Sequence, residues 1–309
     1  MDVITLTVNP ALDKSALVDG LVPEQKLSCY SIRTQPGGGG INISRILSRL
    51  QTESTCFFTS GGDNGKYLES LLSKEGLNFT GISVKEPTRE NLSVSDTRTN
   101  LQYRFGMPGN SISKSEMDQI FAAISQQVKL NDILVLSGSL AQHMPDDFYA
   151  QMIKYVENKN LKIIVDTSGS ALLKTIEALL PIYLIKPNQK ELAQLAGETF
   201  LSNKEQEHFA LHLVNDKHIK YVVVSLGPKG AFIASKTGVI YQRAPSIKVK
   251  STIGAGDSLV AGLVYGIKNN FSAQEMLKFG VACGAATTMS EGTDLASQES
   301  INFVLDLLN

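Results

Sequence analysis

The 309-residue chain carries a formal net charge of −1, with 42% hydrophobic and 19% charged residues. That balance fills a globular core of one large or two smaller α/β units and provides no basic field for nucleic acid or an acidic membrane surface. No apolar run reaches the roughly 18–20 residues of a membrane span, the first five residues lack the pattern of an export leader, and Cys29, Cys56 and Cys283 are too scattered for a disulfide framework or a zinc site. A cytoplasmic location with reduced thiols is therefore expected, with no nucleic-acid or membrane partner. His208 and His212, at i, i+4 among Glu205, Glu207 and Lys217, lack an HExxH pattern and read as a solvated helix face.

Residues 3–8 are apolar and β-branched, the pattern of a buried strand. The turn Asn9-Pro10-Ala11-Leu12-Asp13 leaves Asp13 near the strand's C-terminal end, where ligands collect in open α/β sheets. Lys26 and Arg33 follow in an alternating, strand-like stretch. Next comes Pro36-Gly37-Gly38-Gly39-Gly40-Ile41-Asn42, costly in backbone entropy and poor in packing. A flexible linker would look similar, but Ile43, Ile46, Leu47 and Leu50 follow at helical spacing, with Arg45 and Arg49 opposite. A Gly-rich ligand loop at a helix N-terminus is the better reading, and Asn42 can offer its amide to ligand hydroxyls.

Residues 54–59 form a further strand, followed by a Gly-rich turn and a helix through Leu72. Two alternating runs, 91–95 and 101–105, join through a polar turn. With residues 12–33 they suggest a small β lid built from about 12–33 and 88–106. Arg89 and Arg104 near its ends are either charges that protect a sheet edge or phosphate ligands.

From residue 112 the chain alternates strands (133–136, 161–165, 183–185, 221–224) with helices (146–157, 170–179, 189–196, 205–215). This implies a parallel sheet. The strands end in Ser137-Gly138-Ser139, Asp166-Thr167-Ser168-Gly169, Lys186-Pro187-Asn188 and Ser225-Leu226-Gly227, so these polar ends gather along one edge. Residues 232–234 and 239–241 read as a hairpin. No linker and no repeat divides the chain, which reads as one domain, 1–309, with a lid.

The run Ser251-Thr252-Ile253-Gly254-Ala255-Gly256-Asp257-Ser258 then leads into an apolar helix, 259–267. Small residues and a helix start make an anion site. An aspartate there makes sense as a base, taking a proton from a hydroxyl while the amides hold a transferring group. Alone, the octapeptide reads better as a Gly-rich helix start with a first-turn acid, because short Gly motifs recur by chance.

Taken in order, Gly38-Gly39-Gly40-Ile41-Asn42, Asn188-Gln189-Lys190-Glu191, Ser225-Leu226-Gly227 and Gly254-Ala255-Gly256-Asp257 resemble the ribokinase-like, phosphofructokinase B family of sugar kinases across essentially the whole chain. The resemblance implies a three-layer α/β sandwich with a mostly parallel central sheet, helices on both faces and a small β lid. It implies ATP and Mg2+, with Asp257 as base and Gly254, Ala255 and Gly256 holding the transferring group. Lys186, Asn188, Ser225, Gly227 and Thr252 would lie on the ATP side, and Asn188 and Glu191 would organise Mg2+ through water.

On the acceptor side the resemblance implies Asp13, Gly38, Gly39 and Asn42 for sugar hydroxyls, and Lys26, Arg89, Arg104 and Ser139 for a phosphate already on the sugar. K+ would lie against backbone oxygens of Ser251, Ile253, Thr287, Ser290, Gly292 and Asp294. A homodimer through the lid is also implied. The expected acceptor is fructose 6-phosphate, because Gly39 stands where 1-phosphofructokinases and tagatose-6-phosphate kinases usually carry lysine. Asn9-Pro10-Ala11-Leu12-Asp13 is closer to those two groups, and Ala141-Gln142-His143 departs from the usual proline-rich turn, so both remain alternatives. A non-catalytic sugar-phosphate sensor is the alternative of a different class.

Overall fold

The computed structural model describes residues 1–198 and 202–309. Its centre is β1 (Val3–Thr7), whose residues are β-branched apart from Leu6 and buried on both faces. On one side β1 pairs in parallel with β4 (Thr55–Ser60), which pairs with β5 (Phe79–Ser83). On the other it pairs with β8 (Ile133–Ser137), continued by β9 (Lys162–Asp166), β10 (Ile182–Ile185) and β11 (Ile219–Ser225), all parallel. The hairpin β12 (Ala231–Ser235) and β13 (Gly238–Gln242) adds two antiparallel strands and completes a nine-stranded sheet.

Alternation along the strands creates two cores. Ile4, Leu6, Leu134 and Leu136 face α3 (Lys114–Gln127), α4 (Phe148–Tyr155), α5 (Gly169–Glu177), α6 (Gln189–Ala196) and α7 (Asn203–Asp216). Val3, Ile133 and Val135 face α1 (Gly39–Arg49), α8 (Ala255–Lys268), α9 (Ala273–Thr288) and α10 (Gln298–Leu307). Helix α2 (Gly62–Lys74) joins α1 over Phe58. The result is the expected three-layer arrangement with helices on both faces.

Most expected strands and helices are present with ends shifted by one or two residues, but the helix expected from 259 begins at 255, and the stretch around Lys26 expected to be strand-like becomes a strand only from Tyr30. Four elements had no expectation attached. Strand β5 is a short edge strand interrupted by Gly81, and α3 is announced only by its Ser113/Glu116 capping box. Helices α9 and α10 close the C-terminal part, and α9 is buried on several sides, which blurs a one-sided pattern. His208 and His212 are exposed on α7, as expected. Among the described residues no helix is long and apolar enough to cross a membrane.

A second, four-stranded sheet has the order β3 (Tyr30–Gly37), β2 (Ala11–Val18), β6 (Arg89–Asp96), β7 (Leu101–Phe105). Strands β2 and β6 are parallel, and both outer pairs are antiparallel. Strand β3 runs on to Gly37, which delivers the chain directly into α1. Asp13, Ser15, Arg33, Gln35, Asn91, Ser93 and Arg104 share one face by register; Lys14, Leu92, Val94, Tyr103 and Phe105 share the other.

One expectation is corrected. Arg45, placed opposite the apolar stripe of α1, is one of the most deeply buried side chains of the protein, 2% exposed. Its guanidinium makes two 2.8 Å bonds to the Glu75 carboxylate and a third, 3.2 Å, to the carbonyl of Pro36. A buried cation is tolerable because both its charge and its donors are matched.

Candidate active site

The strand ends meet as the alternating pattern requires. Asp166 closes β9 beside Ser137 of β8, whose hydroxyl lies 3.4 Å from its carboxylate. Lys186 follows β10, and its ammonium lies 3.1 Å from Asp166. Both side chains are close to 90% buried. Burial opposes the charge on Lys186, but Asp166, Glu191 and Asp257 around it outweigh that and raise its pKa. Asp166 is the residue that sequence reasoning missed.

The motif at 254–257 sits over this pair. Gly254 is the N-cap of α8 at φ 73°, a left-handed conformation that favours glycine, and no side chain caps the helix. The amides of Gly256 and Asp257 are therefore left without intrahelical acceptors. A Cβ on Gly256 would lie 3.5 Å from the Lys186 ammonium, which places that cation beside the helix start. Asp257, the third residue of α8, accepts a 2.8 Å hydrogen bond from the Asn42 amide nitrogen. Burial first, and the Asp166 charge second, push its pKa up to about 6, against the lowering influence of Asn42 and Lys186.

Asn42 belongs to the first turn of α1, so this bond joins the two Gly-rich motifs across 215 residues. Arg45, one turn on, donates to the other end of the Asn42 amide at 3.4 Å. Gly38 begins the helix at φ 125°, ψ 139°, and a Cβ there would meet Thr7 at 2.8 Å. Gly39 lies against Ser137, leaving 2.1 Å for a Cβ. Asp13 stands over Gly37 and accepts a 2.8 Å bond from Asn91; burial raises its pKa, opposed by Asn91, Arg89 and Arg45.

Asn188 and Glu191 form a capping box on α6. The Asn188 side chain accepts from the amides of Lys190 and Glu191, and Glu191 Oε2 accepts from the Asn188 amide at 2.8 Å. Burial raises the Glu191 pKa. A bridge between Asn188 and Ser225 places the end of β11 alongside, and Gly227, at φ 60°, turns the chain just beyond it.

Arg89 donates to the carbonyls of Met107 (2.8 Å) and Asn9 (3.2 Å), and its buried Nε has no partner among the described residues. Ser139 accepts from Asn9 at 3.1 Å. Arg104 reaches out of the small sheet to the Thr252 hydroxyl at 3.0 Å. A cavity of about 220 Å³ between Asp13, Asn91, Ser93, Arg104, Ile253 and Thr293 separates the small sheet from the 251–257 motif. Lys26 is the outlier, exposed on the segment between β2 and β3 and outside the hydrogen bonds and ion pairs of the described residues.

Residues 250–254 and 289–296 run side by side. Lys250 and Ser251 donate their amides to the Thr288 carbonyl, and the Ser251 hydroxyl donates to the carbonyl of Gly292 at 2.6 Å. Thr287 is buried and hydrogen-bonded to Ser258 and Ala296. Ser290 donates weakly to Leu295, at 3.5 Å. Among the described residues no three His, Cys, Asp or Glu side chains converge to hold a metal ion by themselves.

A helix start lined with unsatisfied amides, a carboxylate of raised pKa at its third residue and a buried lysine facing both form the layout of a small-molecule phosphotransferase. The pfkB family carbohydrate kinase profile matches residues 7–300, and the chain belongs to that family. It is a sugar kinase of ATP-dependent type, transferring a phosphoryl group to an alcohol. It is 37% identical over 297 residues to the ATP-dependent 6-phosphofructokinase isozyme 2 of Escherichia coli, covering 96% of each chain. It is 32% identical over 304 residues to the 1-phosphofructokinase of Bacillus subtilis, covering 98% of this chain and 97% of that one. A solved structure of Escherichia coli phosphofructokinase-2 in complex with substrates and products superposes with a TM-score of 0.95 at 36% identity, covering 100% of this chain and 99% of that one. A structure of the same enzyme in complex with potassium matches with a TM-score of 0.95, also at 36% identity, covering 99% of each chain. An Arabidopsis thaliana ribokinase shares the fold at a TM-score of 0.75 and 20% identity, covering 98% of each chain.

Proposed function

We propose that the protein is an ATP-dependent 6-phosphofructokinase, converting fructose 6-phosphate and MgATP to fructose 1,6-bisphosphate and ADP. The observation that carries this reading is the Asn42–Asp257 hydrogen bond, because it fixes the carboxylate between the acceptor loop and the helix start. Asp257 takes the proton of the sugar's C1 hydroxyl as that oxygen attacks the γ-phosphorus. The amides of Gly254, Ala255 and Gly256 receive the charge that spreads over the transferring group, and Lys186 neutralises the nucleotide phosphates. Ser225, Gly227 and Thr252 border the nucleotide.

Magnesium enters with ATP as part of the substrate. Asn188 and Glu191 would orient its water shell: the 2.8 Å capping bond engages Glu191 Oε2 and leaves Oε1 for a hydrated hard cation. Asp13, Gly38, Gly39 and Asn42 take the sugar hydroxyls. Arg89, Arg104, Ser139 and Lys26 take its phosphate. The orphaned Arg89 Nε supports that assignment, since a bound oxyanion would satisfy it; Lys26 rests on its sequence context alone. K+ would be held by carbonyls of Ser251, Ile253, Thr287, Ser290, Gly292 and Asp294, adding positive charge beside the anion site.

The similarity to a 1-phosphofructokinase supports a second reading, in which fructose 1-phosphate binds with its C6 hydroxyl at Asp257. In either case Asp257→Asn should lower kcat by about 10²–10⁴-fold while ATP affinity stays within about twofold. Steady-state kinetics together with ATP-binding calorimetry checks this. A variant that retains most of its turnover rules out Asp257 as the base.

A further inference from the structure

The polar face of the small sheet reaches the 251–257 motif from both of its edge strands. From β7, Arg104 donates to Thr252. From β3, Arg33 Nη1 donates to Asp294 Oδ2 at 2.9 Å, Gln35 donates to the other oxygen of the same carboxylate, and Thr293 donates to Gln35. The segment held in this way continues into the motif. Gly292, two residues from Asp294, accepts from the Ser251 hydroxyl at 2.6 Å, and that hydroxyl accepts from the amide of Ile253 at 3.3 Å. Gly254, the N-cap of α8, comes next.

We propose that Arg33 and Gln35 are positioning residues that act through Asp294 and Ser251. With Arg104 they clamp the 251–254 turn, so that seating the small sheet over the acceptor aligns the amides that receive the transferring phosphoryl group. The cavity between Asp13, Arg104, Ile253 and Thr293 lies between the two arms, so an acceptor held there is bounded by the elements being aligned. The Arg33 and Asp294 side chains are 56% and 36% exposed, too open for their ion pair to add much to fold stability. Its effect belongs in the rate. A misplacement of the order of 1 Å at a pre-organised anion site is costly in turnover, even when the altered residue lies far from the chemistry.

The test combines Gln35→Glu, which sets a carboxylate of equal size against Asp294, with Asp294→Ala, Arg33→Asp and the swapped pair Arg33→Asp/Asp294→Arg. Each single variant should lower kcat at least about fivefold, with KM for ATP within about twofold and Tm within about 2 °C of wild type. Amide hydrogen exchange across residues 253–256 should speed up in the same variants, and the swapped pair should recover kcat to within about threefold. Wild-type kcat in the single variants overturns the proposal. So does a loss that tracks a fall in Tm and is not recovered by the swap. The inference rests on the reading of 254–257 as the anion site, and the two failures are distinguishable. If that reading is wrong, Asp257→Asn stays active; if only the coupling is wrong, Asp257→Asn is inactive while exchange at 253–256 is unchanged in the clamp variants.

Discussion

Asp257 carries its charge where charge is disfavoured. Burial and Asp166 push its pKa up to about 6, while Asn42 and Lys186 pull the other way. A base must be ionised to accept a proton, so kcat/KM should fall about tenfold per pH unit below about pH 6. The stability consequence has the opposite sign from that of an ordinary ion-paired carboxylate. The folded pKa lies above the unfolded value of 3.8, so the charged side chain costs stability fully above about pH 6 and the cost vanishes as pH falls through 4. Asp257→Asn should therefore raise Tm by about 2–5 °C at pH 8, with no gain at pH 4. Rate profiles from pH 5 to 8 and thermal melts at both pH values check the pair; a flat rate down to pH 5 would return Asp257 to an ordinary titration.

The neighbour that drives part of this shift, Asp166, was not legible. In sequence it is one of several polar residues after a strand, and only the register of β9 between β8 and β10 sets it against Lys186. Asp257 and Asn42 were legible singly, because helix starts after glycines announce themselves. Their hydrogen bond was not, since nothing local links residues 215 apart. Arg45 misled for a related reason: a cation on a helix reads as solvent-facing until its partner, Glu75 at the C-cap of the next helix, is seen.

At the scale of elements, the large sheet was readable because its strands are short apolar runs with polar ends. The small sheet was readable as alternation, but alternation does not say which face is outside. Here the polar face turns inward to the cavity, and Tyr30, Ile32, Leu101, Tyr103 and Phe105 are exposed, Ile32 by 66% and Leu101 by 56%. An apolar face left to solvent is the usual mark of an interface. A homodimer formed through the lid would use these faces. Light scattering should report a dimer for the wild type and a monomer for Ile32→Asp/Leu101→Asp, and a wild-type monomer at micromolar concentration would contradict it.

For the molecule as a whole, the nine-stranded sheet gathers motifs from residues 38 to 257 along one edge, and the small sheet, which carries Asp13, closes over that edge. Arg104 on the cavity wall, Arg89 within electrostatic reach of Asp13, and Ser139 on Asn9 are more cationic and polar provision than an uncharged sugar needs, which calls for a phosphate on the acceptor. ADP release measured with fructose 6-phosphate, fructose 1-phosphate, tagatose 6-phosphate and unphosphorylated fructose tests that requirement directly. The highest kcat/KM is expected with fructose 6-phosphate, and at least about 10³-fold less with fructose itself. Turnover of unphosphorylated fructose at a comparable kcat/KM, or no ADP release with any of the phosphorylated sugars, would contradict it.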